Sequence, residues 1–285
     1  MQIYDFTSAH IEQAAQIAKQ NYDKERGHVP ALPPIDAVPD LIPFAENGLG
    51  VAAFDDSEMV GFLCAVEPFQ NAFSSTDAVG VFSPMGANGA VGSNRTEVYV
   101  RMYQAAGEKW ARAGASSHAV CLYAHDKEAQ EQFVRYGFGL RCVDAIRGMD
   151  EVMAPLCDGY TYSELTSEEH IDIYPFIKLF NQHFLCSPTF MVKPDLTESE
   201  FLKGVKHDRF FAARKDGIIV AFISISQAGE TFIRDVSGYI HADGAYCLPE
   251  HRGKGMLQNL LNLAMNILKV EDCKYLGVDF ESINP

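Results

Sequence analysis

The run Ala242-Asp243-Gly244-Ala245-Tyr246-Cys247-Leu248-Pro249-Glu250-His251-Arg252-Gly253-Lys254-Gly255-Met256-Leu257 decides the reading of this chain. It opens as a strand over about 242–248, passes a loop with two glycines, and enters a helical pattern over 256–269. In that pattern Gln258, Asn259, Asn262, Asn266 and Lys269 form a narrow polar stripe, while Leu257, Leu260, Leu261, Ala264, Met265 and Leu268 are apolar. A helix with so wide an apolar face is buried on most sides and holds the preceding loop rigidly against a sheet. A strand, glycine loop and helix in that order present free backbone N–H groups, and the helix dipole adds a field that favours an anion. Glycine lets the backbone approach a ligand closely. Arg252 and Lys254 bring positive charge into an otherwise acidic chain. The combination suits a pyrophosphate. A Walker A loop would need Ser or Thr after Lys254, where Gly255 stands, and no GxGxxG with a later acidic residue is correctly placed. The competing structural reading is a plain strand–helix turn.

Outward from the loop, one pattern is written twice, about 160 residues apart. The later copy starts after a loose connector, Gly148–Asp158. It predicts a strand at Tyr160–Leu165, helices at Glu168–Phe184 and Glu198–Lys206, and a hairpin turning at Lys215-Asp216-Gly217. The decisive run follows, and then a strand over Tyr275–Phe280. The earlier copy predicts a strand at Gln2–Phe6, a helix at Ser8–Tyr22, a hairpin turning at Asp55–Glu58 and a strand at Ala78–Phe82. The glycine-rich stretch Pro84–Gly92 then leads to a helix over Arg95–Ala113, with Asn94 and Glu97 as a capping box and Gly114 as the C-terminal cap. The strand Ala119–Tyr123, the helix Lys127–Tyr136 and an extended tail Leu140–Arg147 complete it. The fold class expected is α/β (α+β): two tandem domains, 1–150 and 151–285, each a mixed sheet flanked by helices.

The bulk numbers agree with a folded soluble protein. At 285 residues and 47% hydrophobic content, one large core or two ordinary ones can be buried. A net charge of −15 repels nucleic-acid phosphates and anionic lipid headgroups and favours a cationic substrate such as an amine; solubility alone is the simpler explanation. The seven cysteines form no CxxC pair and sit mostly in apolar stretches, as reduced thiols of a cytosolic protein do. The nine histidines show no HExxH or other zinc spacing, so no metal is expected. The N-terminus lacks the basic and apolar regions of a signal peptide, and no apolar run reaches the roughly 18 residues of a membrane span. A soluble, cytoplasmic protein is expected, its oligomeric state open.

With these residues in view, the later copy resembles the GNAT superfamily of acetyl-CoA-dependent N-acetyltransferases. Its signature (Gln/Arg)-x-x-Gly-x-(Gly/Ala), between fourth strand and third helix, reads Glu250-His251-Arg252-Gly253-Lys254-Gly255 here, with Glu250 the departure. Cys247-Leu248-Pro249 looks like the family's Val-x-Pro strand exit, and Leu276–Pro285 like its fifth strand with the asparagine, Asn284, that opens the next helix. The resemblance implies acetyl-CoA as co-substrate, held by Cys247, Leu248, Arg252, Gly253, Lys254, Gly255, Met256 and Asn284. The earlier copy is a weaker match. Gly86-Ala87-Asn88-Gly89-Ala90 lacks basic residues, and in the segment Asp126, Ala129, Phe133, Gly137, Phe138 an aspartate and a phenylalanine replace the family's asparagine and tyrosine. A phenyl ring gives no proton to a thiolate, so this copy reads as a degenerate, non-catalytic repeat.

The implied reaction is direct attack of a small-molecule or peptide amine on the acetyl thioester. A base must deprotonate the amine. Glu281, at the end of the fifth strand, and Asp243, on the fourth, are the candidates, each with the alternative of a solvated or strand-end carboxylate. His241 shares the face of Asp243 by period-two alternation. The family supplies its oxyanion donor from backbone N–H near Cys247 and Leu248. Cys247 as a covalent nucleophile lacks a histidine partner. His125-Asp126 reads as a helix cap rather than a catalytic pair. The family's tyrosine acid would fall about seven residues after Asn284, beyond Pro285, so the second domain is expected to be incomplete. The runner-up reading is therefore a tandem GNAT-like protein that binds acyl-CoA or a partner without turnover. A nucleotide-dependent enzyme using the first glycine stretch is a third reading. Acceptor contacts are expected from Phe180–Pro194, with Asn181, His183 and Phe184.

Overall fold

The computed structural model describes residues 1–186 and 191–282. Contacts divide the chain into two units, Met1–Leu140 and Arg141–Pro285. The first unit contains β1 (Gln2–Asp5), α1 (Ile11–Arg26), α2 (Ile42–Glu46), β2 (Val51–Asp55), β3 (Glu58–Leu63), β4 (Gly80–Ser83), β5 (Asn88–Ala90), α3 (Arg95–Arg112), β6 (Ser117–Val120) and α4 (Lys127–Arg135). The second contains β7 (Cys142–Gly148), β8 (Tyr160–Glu164), α5 (Tyr174–Cys186), α6 (Glu198–Gly204), β9 (Arg209–Lys215), β10 (Ile218–Ser226), β11 (Tyr239–Cys247), α7 (Met256–Val270) and β12 (Tyr275–Glu281). Each unit runs through the same order of hairpin, strand, helix and parallel return strand. Among the described residues no helix is long and apolar enough to cross a membrane.

In the first unit β1, β2, β3 and β5 form an antiparallel sheet, and β4 pairs in parallel with β6. The glycine-rich stretch is thus partly strand: Asn88-Gly89-Ala90 pairs with Gly61–Leu63 of β3. Small side chains made it read as loop, but Gly89 lies under Asn21 and Ile17 of α1, where a Cβ would not fit. The loop that enters α3 is only residues 91–94. Asn94 makes no capping hydrogen bond there, so the expected capping box is not formed. One core packs α3 on this sheet through Val98, Met102, Ala106 and Trp110; another packs α1 on the opposite face through Ala14, Ile17 and Ala18.

The second unit holds a six-stranded sheet in the order β7-β12-β11-β10-β9-β8. The β9–β10 turn places Asp216 and Gly217 at φ 52° and 81°, the left-handed pair that a two-residue hairpin needs. Helix α7 covers one face through Met256, Leu260, Ala264, Met265 and Leu268, against Phe211, Ala221, Ile223, Ile240 and Leu276. Phe176 of α5 and Phe201 of α6 cover the other, against Phe210, Phe222 and Tyr246. Strand β7 comes from the tail that the sequence assigned to the first domain. It pairs antiparallel with the whole of β12, from Tyr275↔Gly148 to Glu281↔Cys142. A strand's partner lies far away in sequence, and the alternation within 142–148 carries no mark of which sheet receives it.

The eleven residues between β7 and β8 join opposite edges of that sheet. Five interstrand steps of about 4.8 Å separate those edges by roughly 24 Å. Eleven extended residues reach roughly 36 Å, so the connector is a strap rather than a slack loop. Met149 is buried in the α7 core, Val152 and Cys157 pack against it, and Met153 and Leu156 are fully exposed.

Candidate acyl-donor slot and its surroundings

The site is generated by a mismatch between two strands. β11 and β12 pair in parallel only from Tyr239↔Tyr275 to Ala242↔Val278. Both then continue unpaired with each other, β11 to Cys247 and β12 to Glu281. On its other side β11 stays bonded to β10 up to Ala221↔Cys247, with a register shift that leaves Asp243 as the extra residue between Gly244 and Ala242. The bulge bends β11 away from β12 and opens a slot.

Peptide groups on β11 face alternate sides. The N–H of Leu248 donates to the Val220 carbonyl, 2.9 Å away. The oxyanion-donor role expected near Cys247 and Leu248 is therefore not open to Leu248. The Cys247 peptide faces the other way, and its carbonyl accepts from Arg252 Nε at 3.0 Å. Burial raises the Cys247 thiol above its usual range, against the pull of Arg252 and Lys254. Such a thiol is a packing group rather than a nucleophile.

Past Pro249 the chain makes one short helical turn and reaches Gly253 and Gly255 at φ 72° and 84°, then starts α7. Among the described residues, no backbone acceptor is found for the amides of Gly253, Lys254 and Gly255. The side chains of Arg252 and Lys254 fold back as staples: Arg252 lies 5.6 Å from the centre of the Tyr246 ring, and Lys254 Nζ donates to the Glu250 carbonyl at 2.9 Å. Their charges remain beside the loop. A cavity of about 490 Å³ opens here, lined by Phe180, His183, Cys247, Arg252, Gly255 and Met256, among others. Of the residues expected to contact the acceptor, the structure brings Phe180 and His183 to this cavity. The rest of the expected acceptor segment includes residues 187–190, which lie outside the described residues, as does Asn284.

Carboxylates crowd the fork where the two strands part. Asp279 is the first residue of β12 beyond the last pair. It accepts from His241 Nε2 at 2.7 Å, and Tyr239 Oη lies 2.8 Å from His241 Nδ1. His241 is buried, and the hydrogen bond it donates holds Asp279 below the ordinary carboxylate range. Gly277 makes this possible, because a Cβ there would sit 1.9 Å from the Tyr239 hydroxyl. Across from Asp279 stands Asp144 of β7. Loss of hydration, then the charges of Glu230 and Asp279, push Asp144 up to about 6. Asp243 is raised by burial. Glu281 lies at the end of β12 opposite Cys142. Asp243 and Glu281 thus both flank the slot, but Tyr239, Asp279 and Asp144 did not stand out in the sequence. The His241–Asp279 pair is formed across two strands 38 residues apart, so only the parallel register reveals it. Among the described residues no group of three or more His, Cys, Asp or Glu side chains is arranged to hold a metal ion.

The same region of the first unit is closed. Asn88 Nδ2 donates to Ser83 Oγ at 3.1 Å and to the Cys121 carbonyl at 3.0 Å, tying the broken fourth strand to the return strand. Tyr99 donates to Asn88 Oδ1. At the start of α3, the Arg95 guanidinium pairs with Asp126 and donates to the Ala90 carbonyl. An anion would have to break that ion pair to reach the helix. Asp126 also caps α4 by accepting from the Ala129 amide, the role expected of it.

A model of the acetyltransferase (GNAT) family matches residues 176–284. Among solved structures, a GCN5-related N-acetyltransferase from Sphaerobacter thermophilus is similar over 99% of this chain and 87% of its own length, at 10% identity and a TM-score of 0.57. A GCN5-related glucosamine N-acetyltransferase region in a fungal multi-domain GH3 β-N-acetylglucosaminidase is similar over 97% of this chain and 35% of its own, at 13% identity and a TM-score of 0.53. No curated protein matches. The family match falls on the unit that carries the splayed strands and the open glycine loop, and it is this unit that is similar to the acetyltransferase (GNAT) family.

Proposed function

We propose that the second unit binds acetyl-CoA in the slot between β11 and β12 and transfers the acetyl group to an amine by direct attack. The observation that carries this is the early end of the β11–β12 pairing at Ala242↔Val278, with both strands running on toward a loop of open amides. The amides of Gly253, Lys254, Gly255 and Met256 would take the pyrophosphate, with Arg252 and Lys254 adding positive charge. The thioester supplies an activated carbonyl. The Cys247 N–H faces the slot and would stabilise negative charge developing on that carbonyl's oxygen. The acidic fork suits a protonated amine, and Asp243 or Glu281 would take its proton. His241 holds Asp279 ionised beside them.

Calorimetry with acetyl-CoA, paired with a thiol-release assay over a panel of amines, tests the reading. Saturable binding with amine-dependent thiol release is the expected result. Binding without release on any amine would instead make this unit an acyl-CoA-binding module. Glu281→Gln and Asp243→Asn sort the two bases. The one that acts should lose roughly 10²-fold in kcat with little change in acetyl-CoA affinity, and an unchanged kcat removes that residue from the role.

A further inference from the structure

The strap between β7 and β8 is fastened to α7 and to the glycine loop at several points. Asn262 clamps Val152 twice, accepting from its N–H and donating to its carbonyl, both at 2.8 Å. Asn266 Nδ2 reaches Glu151 Oε1 at 2.8 Å. Nearer the loop, Asn259 Nδ2 donates both to the Pro155 carbonyl at 3.0 Å and to the Gly255 carbonyl at 2.9 Å. The Cys157 thiol donates to the Lys254 carbonyl at 2.6 Å. The Pro155 ring lies on Gly255 so closely that a Cβ there would fall 2.3 Å from Cγ. The polar stripe of α7 is therefore a row of clasps for the strap.

These contacts set the orientation of the loop's peptides. In a trans peptide the carbonyl and the following N–H lie in one plane and point in opposite directions. When Cys157 holds the Lys254 carbonyl toward the strap, the Gly255 N–H is turned away from it. The Gly255 carbonyl accepts from the Asn259 main-chain N–H at 3.1 Å in the first turn of α7 and again from the Asn259 side chain, so the helix itself sets the direction of the Met256 N–H. Gly253 and Gly255 would otherwise leave the Lys254–Gly255 plane free to rotate. The strap ends at Gly159, and the family match starts only at residue 176.

We propose that the strap Glu151–Cys157 is a positioning element for the anion-binding amides. Cys157 fixes the Lys254–Gly255 peptide and so the Gly255 amide, Asn259 holds the strap to the start of α7 through the Pro155 carbonyl, and Pro155 blocks the loop from relaxing. This rests on the reading of the loop as the pyrophosphate site of an acyl-CoA. It assigns donor affinity to Cys157 and Asn259, which do not line the cavity.

Calorimetry on the full chain tests it with two probes: acetyl-CoA, and S-acetylpantetheine, which lacks the pyrophosphate, measured by competition. Cys157→Ala and Asn259→Ala should each raise the acetyl-CoA Kd about fivefold. Cys157→Ser keeps a donor and should stay within about twofold of the wild type. S-acetylpantetheine should bind all of these proteins alike. An acetyl-CoA Kd that does not move in Cys157→Ala and Asn259→Ala overturns the proposal. So does an equal loss for both probes, which would mean general loosening of the fold. A wild-type chain that binds no acetyl-CoA overturns the functional reading itself, and wild-type binding with unmoved variants overturns the strap's role alone.

Discussion

At the residue scale, the site depends on positions where a side chain is forbidden. Gly255 combines a left-handed φ of 84° with the Pro155 ring against its Cα. An L-residue in that conformation costs about 1–2 kcal/mol, and the overlap with Pro155 about 1–3 kcal/mol more. Gly255→Ala should lower Tm by roughly 5–10 °C and, if the loop amides hold the pyrophosphate as proposed, raise the acetyl-CoA Kd about tenfold or more. A melting curve and a titration check both, and wild-type values in each would remove Gly255 from the site. The glycines of this loop were legible in the sequence because positive φ and close approach leave only one residue type. Gly277 was not. Its role depends on the Tyr239 hydroxyl arriving from a neighbouring strand, and nothing within 275–281 signals that.

At the scale of elements, β7 places one carboxylate against another. Asp144 titrates at about 6 in the folded chain, whereas an aspartate in an unfolded chain titrates near 3.9. Between those values the folded state keeps a proton that the unfolded state has released. Stability from this group therefore falls as pH rises from about 4 through 6, and the loss is complete above that window. Asp144→Asn removes it. The Tm of the variant relative to the wild type should climb between pH 4.5 and 7.5, and a difference that does not vary with pH would show that Asp144 is not held this way. Hairpins, α7 and the order of elements could be read from the sequence, since turn chemistry and a 3.6-residue period are local. The β11 bulge, the strand within the first glycine stretch and the edge position of β7 could not. Each is fixed by a partner strand, and Asn88-Gly89-Ala90 looks like a loop until its register with β3 is known. The asparagines of α7 were visible as a stripe, but a side-chain amide bonded to a main chain more than 100 residues away leaves no pattern to read.

At the scale of the molecule, two copies of one pattern provide one open slot. Asn88 bridges the first copy's strands, and Arg95–Asp126 occupies its helix start. Calorimetry should therefore give one equivalent of acetyl-CoA per chain, and two equivalents would mean that the first slot opens. The strap also bears on how the second unit assembles. β7 and β8 are consecutive in sequence yet occupy opposite edges of a six-stranded sheet. Each can pair with its own neighbour, but both can be in place at once only when the four strands between them, whose own contacts span long stretches of chain, have formed. Such non-local closure is slow. The strap can tighten over α7 only at the end, so the loop's amides would be the last part of the unit to become ordered during folding and the first to loosen when either edge strand frays.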